Sequence, residues 1–347
     1  MERREDMERG ENVERRMTMR GRTAPRRMIL GAALAAALAS GSSWAATNLS
    51  FATGFAGGDG QIGQTMEKLK ELAEERSDGE LKIELFTDAA LGNEREVLES
   101  LVTGSTDMSL AGISDVVYWM PEYFLSVPYL FESPEHVRAV YDGPIGQKID
   151  EMMLEKKGLR TLAIMNRGAR NVSSNRRIEK PEDMEGLRLR MPENPLWIEI
   201  WKQLEVNPTT IAFNELYTAL QTDVVEAQEN PLEAIVNARF FEVQDYVVLT
   251  GHVRDVYKIQ ISERTWQRLS AEEQTALEEA AKEAAAFGDS LLADAEASYL
   301  ETLEESGTEI VEVNPEAFAA AMSESKEIAD RFLEPGLYQQ VKDAVPE

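Results

Sequence analysis

No cysteine occurs in the 347 residues. Disulfides, thiolate metal sites and thiol nucleophiles are therefore all excluded. Histidine is nearly as scarce: His136 and His252 are the only two. Neither H-E-x-x-H nor G-x-S-x-G is present, and no cluster of histidines and carboxylates has metal-ligand spacing, so neither a metal nor a cofactor is expected. Positive charge is in short supply, with 36 Lys and Arg against 63 Asp and Glu and a net charge of -27. Such a surface repels nucleic acid and anionic lipid. Long hydrophobic runs are missing as well. A membrane helix needs about 20 apolar residues, and the best stretch, Met28–Ala39, has twelve.

That stretch has the order of a secretory leader. Arg26 and Arg27 precede it, and Ser40-Gly41-Ser42-Ser43-Trp44-Ala45-Ala46 follows with small residues at a cleavage position. Residues 1–46 are expected to be a signal peptide with an N-terminal extension, cut near Ala45 or Ala46. The mature chain is then exported, soluble and without membrane insertion.

The remaining 300 or so residues are close to the limit of one core, which points to two lobes. Strand and helix patterns alternate along them. Leu49–Thr53 reads as a strand, a glycine-rich turn from Gly54 to Gly60 leads into an amphipathic helix over 61–76, and Leu81–Phe86 alternates like a half-buried strand. Asn93 is placed to cap a helix that Gly104 ends. Strands follow at 159–165, 169–174, 187–191, 206–210, 224–228 and 256–261, with helices between them. A long Ala/Glu-rich helix runs from Ala271 to about Ser306. Its largely alanine apolar positions suggest a solvent-facing scaffold rather than a coiled-coil interface, and hence a monomer. A strand at 309–313 and a helix over 315–332 end the series. The alternation argues an α/β fold with largely parallel sheets.

The Gly54–Gly60 turn has neither a Walker lysine nor the ribose-binding acid of a dinucleotide fingerprint. A ligand-lining turn at a helix N-terminus fits it better. His136 follows Ser133-Pro134-Glu135 and is expected at the surface, while His252 either reaches a cleft or is a structural histidine.

Two arginines stand out in so acidic a chain. Arg170 lies in Gly168-Ala169-Arg170-Asn171, Arg190 ends Leu187-Arg188-Leu189-Arg190, and Gln228-Glu229-Asn230-Pro231 comes about forty residues later. Arginine keeps its charge when buried and offers a planar fork of donors that fits a carboxylate. The pair reads as an anion clamp, with Arg188 on the other face of its strand as a structural ion-pair partner. Glu229 with Asn230-Pro231 can also be read as a strand end leading into a helix.

The block from Gly168 to Leu232 resembles the DctP-type substrate-binding proteins of tripartite ATP-independent periplasmic (TRAP) transporters. The resemblance rests on Gly168-Ala169-Arg170, Ser173-Ser174-Asn175-Arg176, the run from Lys180 to Pro192, the run from Asn207 to Tyr217, and Gln228-Glu229-Asn230-Pro231. It extends over residues 48–340, with Leu91-Gly92 and Val127–Phe131 also fitting.

The resemblance implies a two-lobed periplasmic binding protein fold, type II-like, with hinge strands and a long helix spanning both lobes. Lobe I would comprise 47–167 plus about 256–295, and lobe II 168–255 plus about 296–345. It implies a periplasmic receptor, not an enzyme, that binds a small organic acid and delivers it to the membrane permease. Arg190 is the implied carboxylate partner, Arg170 its support, Asn230 the third contact and Phe213 a lining aromatic. Glu94, Glu193 and the Gly54–Asp59 turn fall where relatives vary by ligand. Gly112 departs from the sialic-acid-type members, which carry a carboxylate there.

Glu94 and Glu193 are acceptors, suited to hydroxyl donors and repulsive to a second carboxylate. The expected ligand is a sugar acid, a hexuronate or aldonate, in preference to a C4-dicarboxylate or another monocarboxylate. A chemosensory binding protein, or an exported enzyme using Glu94 and Glu193 as paired carboxylates, is the competing reading. Trp197 either stacks on a sugar face or belongs to the core.

Overall fold

Two strands of unusual length organise the molecule. In the computed structural model, which describes residues 46–346, β4 (Leu159–Ser174) has 16 residues and β8 (Tyr246–Ser262) has 17, against a typical five or six. They pair antiparallel along most of their length. The expected leader over 1–46 lies almost wholly outside the described residues.

The shorter strands flank this pair. On one side are β1 (Thr47–Ala52), β2 (Leu81–Phe86) and β3 (Met108–Ala111). On the other are β5 (Arg188–Met191), β6 (Asn207–Thr210) and β7 (Ala227–Pro231). The order is β2-β1-β3-β8-β4-β7-β5-β6, with β9 (Glu309–Glu312) added to β8. The flanking pairs β1/β2, β1/β3, β5/β6 and β5/β7 are parallel, as helical crossovers require. The pairs that join them to the centre, β3/β8 and β4/β7, are antiparallel. The expected α/β class holds, but the sheet is mixed. The runs expected as separate strands over 159–165 and 169–174 are one strand, and 256–261 is only the end of β8.

Local signals explain the flanking elements. The helix Gln61–Arg76 buries Ile62, Met66, Leu69, Leu72 and Ala73 on one face, the spacing of an amphipathic helix. Asn93 caps the helix Glu94–Thr103 in a reciprocal box with Glu96: the Glu96 amide donates to Asn93 Oδ1 at 3.1 Å, and the Asn93 amide to Glu96 Oε2 at 2.8 Å. Gly54 lies against the same helix start; a Cβ there would come within 2.8 Å of the Glu94 amide nitrogen.

The long helix Ala271–Glu305 is solvent-facing, as expected, only beyond Gly288; its first half is not. Leu277, Ala280, Ala281, Ala284 and Ala285 are buried in the same core as Met66, Leu69 and Phe51. Alanine here allows close helix packing. The segment expected as one helix over 315–332 is two, Pro315–Ala321 and Ser325–Phe332. His136 is wholly buried, its Nε2 2.7 Å from the Val341 carbonyl oxygen, and not at the surface. A hydrophobic centre around Trp201, Leu189, Val172 and Phe318 underlies β5.

Candidate ligand-binding site

A cavity of about 190 Å³ opens where β4, β5 and β7 meet the Gly54 turn and the start of the helix Glu94–Thr103. Its walls include Phe55, Glu94, Arg167, Arg170, Arg190 and Phe213. No group of three or more Asp, Glu or His is placed to hold a metal ion among the described residues. The cavity's chemistry is that of its arginines.

Arg190, 3 % exposed, lies in β5 beside Gln228 of β7. Its Nε donates to the Ile211 carbonyl at 2.8 Å. That bond fixes the side chain, and no carboxylate lies within 4 Å to pair with it among the described residues. Burial lowers its pKa to about 10, opposed by the field of Glu229 and assisted by that of Arg170. A cation held this way gains most from an anion that enters the cavity.

Arg170 is buried to the same degree but already has a partner. Its Nε donates to Glu229 Oε2 at 2.5 Å and its Nη2 to Glu229 Oε1 at 2.8 Å. Nη2 also reaches the Glu229 carbonyl at 2.7 Å and Asn230 Oδ1 at 3.0 Å. The guanidinium lies 5.0 Å over the Trp197 ring. Burial opposes the charge of Glu229, yet Arg170 and a hydrogen bond from His252 hold its pKa down at about 2.

His252 stands behind Glu229, not in the cavity wall. Its Nε2 is 3.1 Å from Glu229 Oε2 and its Nδ1 is 2.7 Å from Thr250 Oγ1. Desolvation lowers its pKa. A neutral ring then donates from Nε2 to Glu229 and accepts at Nδ1 from Thr250. Of the two readings open for His252, the cleft one is corrected: it does not border the cavity and braces the ion pair from the rear.

Asn230 lines the cavity, with Oδ1 accepting from Arg170 and Nδ2 donating to Gln228 Oε1 at 2.6 Å. Phe213 lines it too, edge-on to Phe55 with ring centroids 5.2 Å apart. Glu94 faces the cavity with both oxygens engaged: Oε1 accepts from the Gly112 amide and Oε2 from Ser114 Oγ, each at 2.8 Å. Glu193 is at the rim, where it takes a hydrogen bond from Arg95 Nη1 at 2.7 Å. Asp59 is exposed and away from the cavity, so only Gly54 and Phe55 of the turn line it. The turn's later residues lead away into the helix that follows. Arg188, as expected, pairs at the surface with Glu226. Trp197 is both core and wall: it is 3 % exposed, donates from Nε1 to the Ser126 carbonyl at 2.5 Å and borders the cavity.

Arg167 is the residue that sequence reasoning missed. It precedes Arg170 by three positions, which in a regular strand would put the two on opposite faces. The β4/β8 register slips between Asn166 and Ala169, and Gly168 has a φ of 77°. That bulge re-aims the strand so that Arg167 and Arg170 both reach the cavity, while Gly168 and Ala169 border a separate cavity behind it. The glycine before Ala169-Arg170 was the available signal. Glu229 was missed as an ion-pair partner because an acid beside Asn-Pro also reads as a strand end.

A family model for bacterial extracellular solute-binding proteins, family 7 (DctP), matches residues 53–335. The chain belongs to this family. A solute-binding protein of Roseobacter denitrificans is 38 % identical over 250 residues, covering 72 % of this chain and 77 % of the relative. The 2,3-diketo-L-gulonate-binding periplasmic protein YiaO of Escherichia coli is 33 % identical over 270 residues, covering 77 % and 81 %. Among solved structures, a TRAP periplasmic solute-binding protein from Roseobacter denitrificans with bound L-galactonate superposes with a TM-score of 0.80 at 34 % identity, covering 86 % of this chain and 98 % of that one. The sugar acid binding protein DctPAm of Advenella mimigardefordensis in complex with galactonate gives 0.82 at 28 %, covering 86 % and 97 %. TRAP solute-binding proteins bind small organic acids in the periplasm and deliver them to a membrane permease; they are transport proteins, not enzymes. No helix of the described residues is long and apolar enough to cross a membrane.

Proposed function

We propose that this DctP-family receptor binds a sugar acid, a hexuronate or aldonate, by its carboxylate and presents it to a TRAP permease. The observation that carries the reading is Arg190, a buried guanidinium anchored through Nε alone and bordering the cavity. A ligand carboxylate supplies the counter-charge that the protein withholds. Arg170, already neutralised by Glu229, makes no demand on the ligand for counter-charge and holds Asn230 in place. Asn230, Phe213 and Glu94 complete the wall, with Glu193 at the mouth. The relatives named for galactonate and diketogulonate support the ligand class.

In this proposal the segments 47–167 plus about 256–295 and 168–255 plus about 296–345 are two lobes. A ligand touching both favours the closed form, since only differential contact shifts such an equilibrium. Signal cleavage near Ala45 or Ala46 would release a periplasmic monomer, which light scattering would check.

Isothermal titration with galactonate, galacturonate and erythronate tests the site. Arg190→Ala is expected to weaken binding by about a thousandfold or more, the cost of breaking a buried charge pair. Arg190→Lys loses the fork geometry and falls between. Parent-like affinity in Arg190→Ala would sink the assignment.

A further inference from the structure

Arg167 is about nine-tenths buried, with Tyr257 and Asp255 as polar neighbours. Its Nε is enclosed without a partner, and the nearest carboxylate oxygen, Asp255 Oδ2, is 3.9 Å from Nη1. The guanidinium is held by ring faces, 5.2 Å over Phe55 and 4.8 Å over Tyr257. These cation–π contacts seat the charge against two rings and leave guanidinium N–H groups free to donate. Glu94 stands opposite. Arg167 Nη1 and Glu94 Oε1 lie 2.9 and 3.2 Å from the single point that a Cβ on Gly112 would occupy, yet the two do not form an ion pair. Glu94 already accepts from the Gly112 amide and Ser114 Oγ. A carboxylate has about four acceptor positions, so it can take another donor.

We infer that Arg167 and Glu94 form a donor–acceptor pair that reads one hydroxyl of the ligand away from its carboxylate, making Arg167 a specificity-determining residue. A hydroxyl between them accepts from Arg167 and donates to Glu94, satisfying both. A methylene satisfies neither and leaves the buried Arg167 and the half-buried Glu94 each short of a partner. A second carboxylate accepts from Arg167 but meets the like charge of Glu94. The chemistry therefore selects hydroxylated monoacids over deoxy acids and over diacids. Gly112 belongs to the same device, because a side chain there would intrude between the two groups.

This inference rests on the carboxylate-receptor reading, and the experiment separates the two. The best binder among galactonate, galacturonate and erythronate is titrated beside its singly deoxygenated analogues and the matching diacid. With the parent protein, loss of one particular hydroxyl is expected to weaken binding about ten- to a hundredfold, the range for a hydrogen bond to charged partners. In Arg167→Met that penalty should shrink to less than about threefold. The hydroxylated ligand weakens and the deoxy ligand barely changes, whereas a merely structural arginine would weaken both alike. Glu94→Gln should narrow the penalty too and improve relative binding of the diacid. If Arg167→Met does not fold, Arg167→Lys and Glu94→Gln carry the same comparison. An unchanged deoxy penalty in the variants, or a parent that prefers the diacid, overturns the inference. Failure of every acid to bind the parent, or full binding by Arg190→Ala, overturns the receptor reading itself and this inference with it.

Discussion

Arg170 and Arg190 are twenty positions apart and both almost fully buried, but their surroundings are opposite. Arg170 meets a carboxylate, a carbonyl and an amide of β7. Arg190 meets one carbonyl. A buried ion pair is held together because separating it strands a charge; a buried lone cation is costly until a counter-ion arrives. The first arginine is therefore part of the scaffold and the second is the docking point. The same contrast divides two glutamates four positions apart. Glu229, facing Arg170, has a pKa of about 2; Glu233 has no such partner, and burial raises its pKa to about 7. Glu233 Oε1 accepts from the Ile62 amide at 3.2 Å, while its Oε2 has no partner.

Breaking the scaffold pair should have the largest effect on stability. Glu229→Ala leaves Arg170 buried without its partner, and about 3–5 kcal/mol of unfolding free energy should be lost in a urea titration. A loss below 1 kcal/mol would mean that Arg170 can find another partner, erasing the contrast with Arg190.

Acid should act on the same pair. Because the folded pKa of Glu229 lies below its unfolded value of about 4.5, its stabilisation is present above pH 4.5 and vanishes as pH falls toward 2. The effect is about 3 kcal/mol. Unfolding free energies measured between pH 5 and 2 should decline steeply in the parent and less steeply in Glu229→Gln.

Glu233 should give the opposite slope. Its raised folded pKa favours the fold below pH 4.5, and that contribution disappears as pH rises through about 7. Glu233→Gln should therefore be more stable than the parent at pH 8, by up to about 3 kcal/mol, and gain little at pH 5. A pH-independent difference would mean that Glu233 is already ionised in the fold at pH 5.

The smallest effect belongs to the rim. Arg95 and Glu193 join across the cavity mouth with about half of each side chain exposed. Exposed pairs contribute little, so Arg95→Ala should change ligand affinity by no more than about threefold. A tenfold loss would promote this contact from rim to clamp.

Several of these relations were legible in the chain before any fold was known. The helix over 61–76 and its start after a glycine turn follow from apolar spacing, and the Asn93 cap from residue type, because both depend on neighbours within a few positions. The family motifs marked Arg170, Arg190 and Asn230 as a group, and all three border the cavity. Spacing could not separate the roles of the arginines, since the partner of Arg170 is 59 positions away. Nor could it place His252 behind the ion pair instead of in the cavity, or Asp59 outside it.

The sequence by itself determined the alternation of strand and helix, the absence of thiol and histidine-metal chemistry, and which residue types were available to hold an acid. Those properties are local or compositional. Only the tertiary structure decided which buried charge is paired and which is left open, because counter-charge is a matter of distance through space. It also decided that a slip in register at Gly168 turns Arg167 into the cavity. Side chains alternate every residue along a strand, so one bulge is enough to reverse which of them face the ligand.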